Sequence, residues 1–413
     1  MSARATGLVA FAATSVWLFV LSGLLGAVPG EPVGSRIDAY FQVDAGGRIA
    51  DAATGAFGRA VVIHPLFYFV FTLPISKLAV LLSGWFPPEI TALYACRWYA
   101  AVAVGLGVGR LTAALVRFGV SPLRLAVVAP LFLLGTSQTL TALPDHFALS
   151  VGLLAWAFAV FLDDRTGQAT RTRAKLLVLT ALTWGITVTN AIFPAALLAW
   201  RWVDVKRSLP RWVLYTAAAG VVAGGAFAVW VAGFDPRDHS NPLVWRVRGY
   251  LTGHLVNDPA GAAARTLRGF TDVAVGPTPV LDTNNFDETP MLTYEPTYAA
   301  YRAWPFDAVQ GAAAALWLAV FAVAVVLALR DARTRWPVVV LLGWVGGNLA
   351  FHLMWGDEFF LYTQHYAWTL TVIVALGLRR APLWALAPAV AAIAVGQVWT
   401  LVRIREVLAT LPF

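Results

Sequence analysis

Long apolar runs recur along the whole chain, and short polar segments separate them. A helix needs about 20 apolar residues to cross a bilayer, and several runs reach that length. We therefore predict an all-α polytopic membrane protein, with about 11 transmembrane helices forming a single transmembrane domain over residues 1–413. The predicted spans are 7–27, 91–116, 124–143, 146–162, 176–190, 191–203, 212–233, 309–329, 337–355, 366–378 and 382–402.

Two apolar segments depart from a simple spanning pattern. Residues 64–84 contain Pro74 and other interruptions, which favours an interfacial or re-entrant helix on the outer side; a true span is the alternative. The segment 176–203 is longer than one untilted span requires and short for two spans. Polar residues such as Asn190, followed by Pro194, favour two short helices that meet at a break. One long, kinked helix is the alternative.

Charged residues make up only 13% of the chain and hydrophobic residues 59%, whereas a soluble domain carries about 25% charged residues. The net charge is +8, yet the basic residues lie in short loops between apolar runs and do not indicate nucleic-acid binding. This arrangement is typical of cytoplasmic loops. It predicts a multi-pass plasma-membrane protein with a cytoplasmic N-terminus. The first apolar run could alternatively be a cleaved signal peptide.

The carboxylates and histidines follow the opposite distribution. In this topology only Asp163, Asp164, Asp204 and Asp331 lie in the basic loops, and five of the six histidines fall in outer segments. Side chains able to transfer protons are therefore expected on the extracytoplasmic side. Two outer loops stand out, namely residues 28–63 and the long loop 234–308. A loop as long as residues 234–308 is usually functional or disordered.

The first outer loop carries the strongest candidates. Asp44, Arg48 and Asp51 are spaced i, i+4 and i+7, so a helix would place them on one face. A carboxylate held by an arginine is a plausible general base. His64 begins the next apolar segment. The alternatives are a solvated, salt-bridged helix and a capping or packing histidine.

Two further stretches contain ionisable residues between spans. Asp145 and His146 follow a proline in a turn, where Asp is also ordinary turn chemistry. The second stretch, "HLMWGDEFFLYTQHYAWTL", holds Asp357, Glu358, Tyr362 and His365. Ionisable groups at membrane depth usually face a bundle interior or a wet cavity. No nucleotide-binding, zinc-protease or serine-hydrolase motif is present, and a single cysteine excludes an intrachain disulfide.

The stretches "VDAGGRIADA" and "IHPLFYF", in this order after a first span, resemble the GT-C superfamily of integral-membrane glycosyltransferases. The likeness is to bacterial enzymes similar to protein O-mannosyltransferases and aminoarabinose transferases. It implies a GT-C-like bundle with an interfacial helix after the first, catalytic outer loop. Asp44 falls at the family's catalytic acid position, whereas Ala45 stands where many members have a second acid.

The resemblance implies transfer of a sugar from a polyprenyl-phosphate donor to a hydroxyl of a glycan, lipid or protein acceptor, with membrane lipids as further partners. Asp44 would be the general base. Arg48, Arg246 and Arg248 would hold the lipid phosphate, since a guanidinium matches phosphate geometry. Other substrate-binding candidates are Asp51, His64, Asp145, His146, Asn190, Asp357, Glu358, Tyr362 and His365. No cofactor is predicted, and a divalent metal is left open. A transporter or lipid flippase and a non-catalytic membrane scaffold are the alternatives.

Overall fold

The computed structural model describes residues 1–25, 45–55, 65–201, 258–282, 291–293, 302–354 and 362–410. These parts of the chain are almost entirely helical, as the all-α prediction requires. The helices are α1 (Ala3–Leu24), α2 (Ala45–Thr54), α3 (Pro65–Phe67), α4 (Leu73–Leu82), α5 (Pro88–Phe118), α6 (Pro122–Leu133), α7 (Ser137–Thr141), α8 (His146–Arg165), α9 (Thr172–Ile186), α10 (Ile192–Arg201), α11 (Pro259–Thr271), α12 (Ala308–Arg330), α13 (Arg335–Met354), α14 (Gln364–Gly377) and α15 (Leu383–Ala409). A π-helical turn covers Tyr68–Thr72, a 3₁₀ turn covers Val188–Ala191, and strands β1 (Val280–Asp282) and β2 (Met291–Thr293) pair antiparallel.

Five of the described helices, α1, α5, α8, α12 and α15, are long and apolar enough to cross a membrane. Each coincides with a predicted span, which confirms that prediction at the level of a helical membrane protein. Large apolar side chains on their surfaces, including Leu8, Val323 and Val395, are exposed. Extensive exposed apolar surface marks contact with another apolar phase, here the lipid.

Helix α8 is the most enclosed of the five, because 15 of its 20 residues are buried. Its contact with α5 depends on glycine. A Cβ atom added at Gly107 of α5 would lie 2.2 Å from the carbonyl oxygen of Gly152 on α8. Membrane helices approach this closely through small residues, since lipid supplies no hydrophobic force between them. The α5–α8 pair therefore forms a tightly packed centre.

The segment predicted as a span over 124–143 contains a break, so it is not one uninterrupted helix. Three residues separate α6 from α7. In this break the backbone N–H groups of Thr136 and Ser137 donate to the carbonyls of Ala274 and Val273, over 3.2 and 3.3 Å. A segment distant in sequence thus satisfies the backbone that a continuous helix would have satisfied internally, as a break inside a bundle requires.

The break predicted within 176–203 is confirmed. Helix α9 ends at Ile186, Thr187 adopts an extended conformation, and α10 begins after the 3₁₀ turn. The Thr187 hydroxyl hydrogen-bonds the Ser150 hydroxyl of α8 over 2.8 Å. The break is therefore held against the central helix by a buried polar contact.

The segment predicted as interfacial or re-entrant is helical from 65 to 82. Its π turn ends with the N–H of Leu73 bonded to the carbonyl of Tyr68, and Pro74 follows in the first turn of α4. A π turn is a common response to a disturbed helix ladder. Trp85 and Phe86, just beyond α4, are exposed, and such aromatic residues are enriched at membrane interfaces. The interfacial placement stays a prediction.

The described part of the predicted long loop 234–308 packs into the helical bundle. Residues 271–277 are buried. The indole N–H of Trp317 on α12 donates to the carbonyl of Phe270 over 2.6 Å, and the Tyr366 hydroxyl of α14 donates to that of Gly269 over 3.0 Å. This stretch is a structural part of the bundle, which its polar composition did not reveal.

Candidate functional site

Asp145 lies at the centre of a buried charged cluster with Arg48 and His146. It is the N-cap of α8, and its Oδ1 accepts hydrogen bonds from the backbone N–H of His146 and from Nδ1 of the same residue, both over 2.6 Å. The Nε atom of Arg48 on α2 lies 3.6 Å from the same oxygen. A carboxylate at a helix N-terminus also interacts favourably with the helix dipole. The cluster therefore joins the first polar segment to the central helix.

The electrostatics of Asp145 keep it ionised. Burial by itself raises the pKa of Asp145, but the charge and hydrogen bonds of His146, together with the charge of Arg48, bring that pKa well below its usual range. At neutral pH the side chain is therefore a fixed anion that orients its neighbours. It cannot serve as a proton donor.

Asp51 lies three residues after Arg48 on α2 and is partly exposed. Burial raises the pKa of Asp51, and the opposing charge of Arg48 only partly offsets that effect. The helical conformation assumed for this stretch is confirmed over Ala45–Thr54. Arg48 thus interacts with a carboxylate on its own helix and with one at the start of α8, which fixes the guanidinium between the two helices.

Aromatic rings surround the charged cluster. The guanidinium carbon of Arg48 lies 5.6 Å from the ring centroid of Phe67, and that ring meets His146 edge-on at 6.4 Å. His146 in turn lies 4.1 Å from the ring of Phe147, and Phe147 lies 5.2 Å from His365. The charged cluster is therefore connected through ring contacts to the start of α14.

Two more rings extend this arrangement. Tyr362 stacks on His352 of α13 with centroids 4.1 Å apart, and His352 lies 5.8 Å from His365. The carbonyl of His365 accepts hydrogen bonds from the indole N–H groups of Trp344 and Trp368, over 3.0 and 3.1 Å. These bonds fix the first turn of α14. We call the whole set (Arg48, Asp145, His146, His352, Tyr362 and His365) the charged–aromatic cluster.

The cluster unites Arg48, Asp145, His146, Tyr362 and His365, which the sequence had placed in three separate stretches. His352 was not among the predicted site residues, although it begins the same stretch as Tyr362 and His365. Its position at the end of an apolar helix was the available signal, because a titratable residue there is costly unless it has a role or a partner.

Asn190 lies in the α9–α10 break and is fully buried. Within the described part of the chain, neither the oxygen nor the nitrogen of its amide has a hydrogen-bond partner. An unsatisfied buried polar group costs about 1–3 kcal/mol, so native structures usually supply water or a ligand. The adjacent Thr187 contacts Ser150, one helical turn after His146. The break thus borders the part of α8 that carries the cluster.

Sequence reasoning also missed a buried ion pair in the segment that fills the bundle. The Nη2 atom of Arg268 lies 2.8 Å from Oδ2 of Asp272, and both side chains are almost fully buried. Burial raises the pKa of Asp272, whereas the charge of Arg268 and the hydrogen bonds from Arg268 and Thr271 act to lower it. The pair holds the end of α11 in its buried position, and nothing in the local composition distinguished it from loop residues.

Six predicted site residues lie outside the described residues: Asp44, His64, Arg246, Arg248, Asp357 and Glu358. Among the residues that the structure describes, no group of three or more His, Cys, Asp or Glu side chains is placed to hold a metal ion. Comparison with protein-family models, curated protein sequences and solved structures gave no match.

Proposed function

We propose that this protein is a GT-C-type membrane glycosyltransferase. In this proposal about 11 spans form the bundle in the plasma membrane, the N-terminus is cytoplasmic, and the charged–aromatic cluster faces the extracytoplasmic side. The donor is a sugar on a polyprenyl phosphate, and the acceptor is a hydroxyl group.

The reaction exchanges one bond at the anomeric carbon for another. The bond from that carbon to the phosphate oxygen breaks, and the acceptor oxygen forms the new bond. Asp44 takes the acceptor proton, and the polyprenyl phosphate leaves as the anion. Positioned general-base catalysis contributes about 10²–10⁴-fold to such a step.

The observation that supports the proposal is the largely buried Arg48–Asp145–His146 arrangement next to Tyr362 and His365. Asp44 lies one residue before the first residue of α2, and Arg48 is on that helix. Because Asp145 fixes Arg48 over 3.6 Å, the start of α2 is tied to the central helix. The described part of α2 that carries Arg48 is therefore held at a defined place, and Asp44 directly precedes this helix in the sequence.

The aromatic and imidazole side chains suit a sugar. Tyr and His combine an apolar ring with a hydrogen-bonding edge, which matches the alternating C–H and hydroxyl surfaces of a sugar ring. His146 and His365 are assigned to sugar hydroxyls, and Arg48 with Arg246 and Arg248 to the donor phosphate. The buried amide of Asn190 supplies a further donor and acceptor.

The test is transfer of labelled sugar from synthetic polyprenyl-phosphate donors by the purified full-length protein. We expect transfer by the wild type and a loss of about 10²–10⁴-fold in the Asp44→Asn variant, with an unchanged melting temperature. Glu89→Gln is the matched control, since Glu89 is an exposed carboxylate at the start of α5. Equal transfer by Asp44→Asn and wild type would remove Asp44 from its role. No transfer from any donor in a broad panel would favour the transporter or scaffold alternatives.

A further inference from the structure

A concave site lies at the end of the bundle where α8 ends, on the side away from the charged–aromatic cluster. The chain turns here between α5 and α6, α8 and α9, α12 and α13, and α14 and α15. Contacts between these turns establish that they form one surface. Arg379 donates to Asp331 through Nη2 over 2.5 Å, and Nη2 of Arg124 donates to the carbonyl of Ala381 over 2.5 Å. Arg333 lies against the ring of Phe118, with its guanidinium carbon 5.0 Å from the ring centroid.

On this surface three arginines line one open cavity of about 510 Å³. The lining consists of Arg117 and Phe118 at the end of α5, Arg165, Thr166 and Gln168 at the end of α8, and Arg333 from the α12–α13 turn. We call this set the arginine pocket. Ligand sites are commonly clefts of about 300–1,000 Å³, so the cavity can hold a small ligand or a lipid headgroup.

The charge of the arginine pocket is only partly neutralised. Asp163 accepts hydrogen bonds from Arg110 and, over 2.8 Å, from Nε of Arg117, so one buried carboxylate serves two guanidinium groups. Among the described residues neither Arg165 nor Arg333 has a carboxylate within ion-pair distance. Three guanidinium groups around one cavity repel each other unless an anion lies between them.

The geometry also favours an oxyanion over a simple counter-ion. Arg333 lies against the face of Phe118 and close to Gly119, where a Cβ atom would lie 3.4 Å from its terminal nitrogens. Arg117 is held by Asp163 over two bonds. Guanidinium groups with fixed orientation bind phosphate oxygens in a bidentate manner. Thr166 and Gln168 provide neutral hydrogen-bonding groups beside them.

We propose that the arginine pocket binds a phosphate-bearing anion. The source that a membrane offers most directly is the headgroup of an anionic phospholipid, because basic groups at the ends of spans bind such headgroups. Free inorganic phosphate has the same recognition chemistry. The proposal does not depend on the glycosyltransferase reaction, because it concerns the opposite end of the bundle.

The test measures binding to the purified full-length protein by native mass spectrometry and thermal shift. The probes are phosphatidylglycerol, phosphatidylcholine and, without lipid, inorganic phosphate. The pocket variant is Arg165→Gln with Arg333→Gln, both exposed side chains. The matched control is Arg171→Gln with Arg330→Gln, two exposed arginines at the same end that do not line the cavity. Gln168→Glu adds a carboxylate to the pocket without removing an arginine.

We expect phosphatidylglycerol to bind the wild type and the control variant more tightly than phosphatidylcholine. Binding by the pocket variant should be weaker by about 30-fold, roughly fivefold per arginine, and Gln168→Glu should also weaken it. If inorganic phosphate alone binds and the pocket variant loses it, the proposal stands with a soluble source. Equal losses in the pocket and control variants would overturn it in favour of general charge attraction, as would an absence of binding to both anions.

Discussion

Replacing Asp145 with asparagine tests whether the cluster is held by charge. Asparagine preserves the shape of the side chain and its ability to cap α8, because Asn and Asp are comparable N-cap residues. The substitution removes the negative charge that faces Arg48 and His146. Any loss of stability therefore reports on the ionic contact and not on the cap.

The expected cost follows from burial and distance. Asp145 is 2% exposed and Arg48 is 8% exposed, so the substitution removes one of the carboxylates that face a buried cation. Breaking a buried ion pair from one side costs about 3–5 kcal/mol. The Arg48 Nε atom lies 3.6 Å from the carboxylate, which is longer than a direct hydrogen bond, and Asp51 remains beside Arg48. We therefore expect the lower end, about 3 kcal/mol.

The measurement is a double-mutant cycle with Arg48→Met, in which equilibrium unfolding of the detergent-solubilised protein is followed for the wild type, both single variants and the double variant. The double variant should be more stable than the sum of the single losses predicts, by at least about 1 kcal/mol, because residues in contact are coupled. Glu89→Gln is the control and should change stability by less than about 0.5 kcal/mol. Strict additivity of the two single losses would refute the ionic coupling between α2 and α8.

Three further predictions follow from the same structure. Because the pKa of Asp145 in the folded protein lies below its usual value, Asp145 should stabilise the protein at neutral pH and lose this effect only in acid. The melting temperature of the wild type should therefore decrease once the pH is lowered below about 4. This decrease should be smaller in the Asp145→Asn variant. Asn190→Leu should leave stability unchanged or raise it by about 1 kcal/mol, since a buried amide without partners among the described residues is replaced by an apolar group of similar shape. A large decrease in the melting temperature of this variant would show that the amide has a partner. Gly107→Ala should lower the free energy of unfolding by about 3 kcal/mol, because the added Cβ atom would collide with Gly152. Gly343→Ala is the control, since Gly343 has open space around it, and this variant should not be destabilised. Equal melting temperatures of the two variants would contradict the close α5–α8 packing.

The sequence predicted the long helices well because a bilayer-spanning helix is dictated by length and apolar content alone. The helix break near Asn190 was also predictable, since polar residues and a proline interrupt an apolar run there. The break between α6 and α7 was not. Its cause is the backbone of Val273 and Ala274, which lies about 140 residues away in the chain and accepts the amide bonds. The local sequence composition does not indicate a hydrogen-bond acceptor that lies so far away in the chain.

Five of the six members of the charged–aromatic cluster were among the predicted site residues, but their arrangement could not be predicted. Asp145 and His146 are ionisable residues in a turn between apolar runs, which the sequence shows directly, and the structure joins them to Arg48. Which carboxylate contacts Arg48 depends on how α2 packs, and helical spacing alone favours the partner on its own helix, Asp51. His352 was missed because the end of an apolar helix does not reveal which ring lies across from it.

The close contact between Gly107 and Gly152 has a mechanical consequence. Helix α8 has no room to slide along α5 or to rotate against it, because each backbone lies in the groove of the other. The first turn of α8, with Asp145 and His146, therefore has a fixed position relative to α5. The contact between Arg48 and Asp145, over 3.6 Å, then ties α2 to a position that the α5–α8 packing already sets.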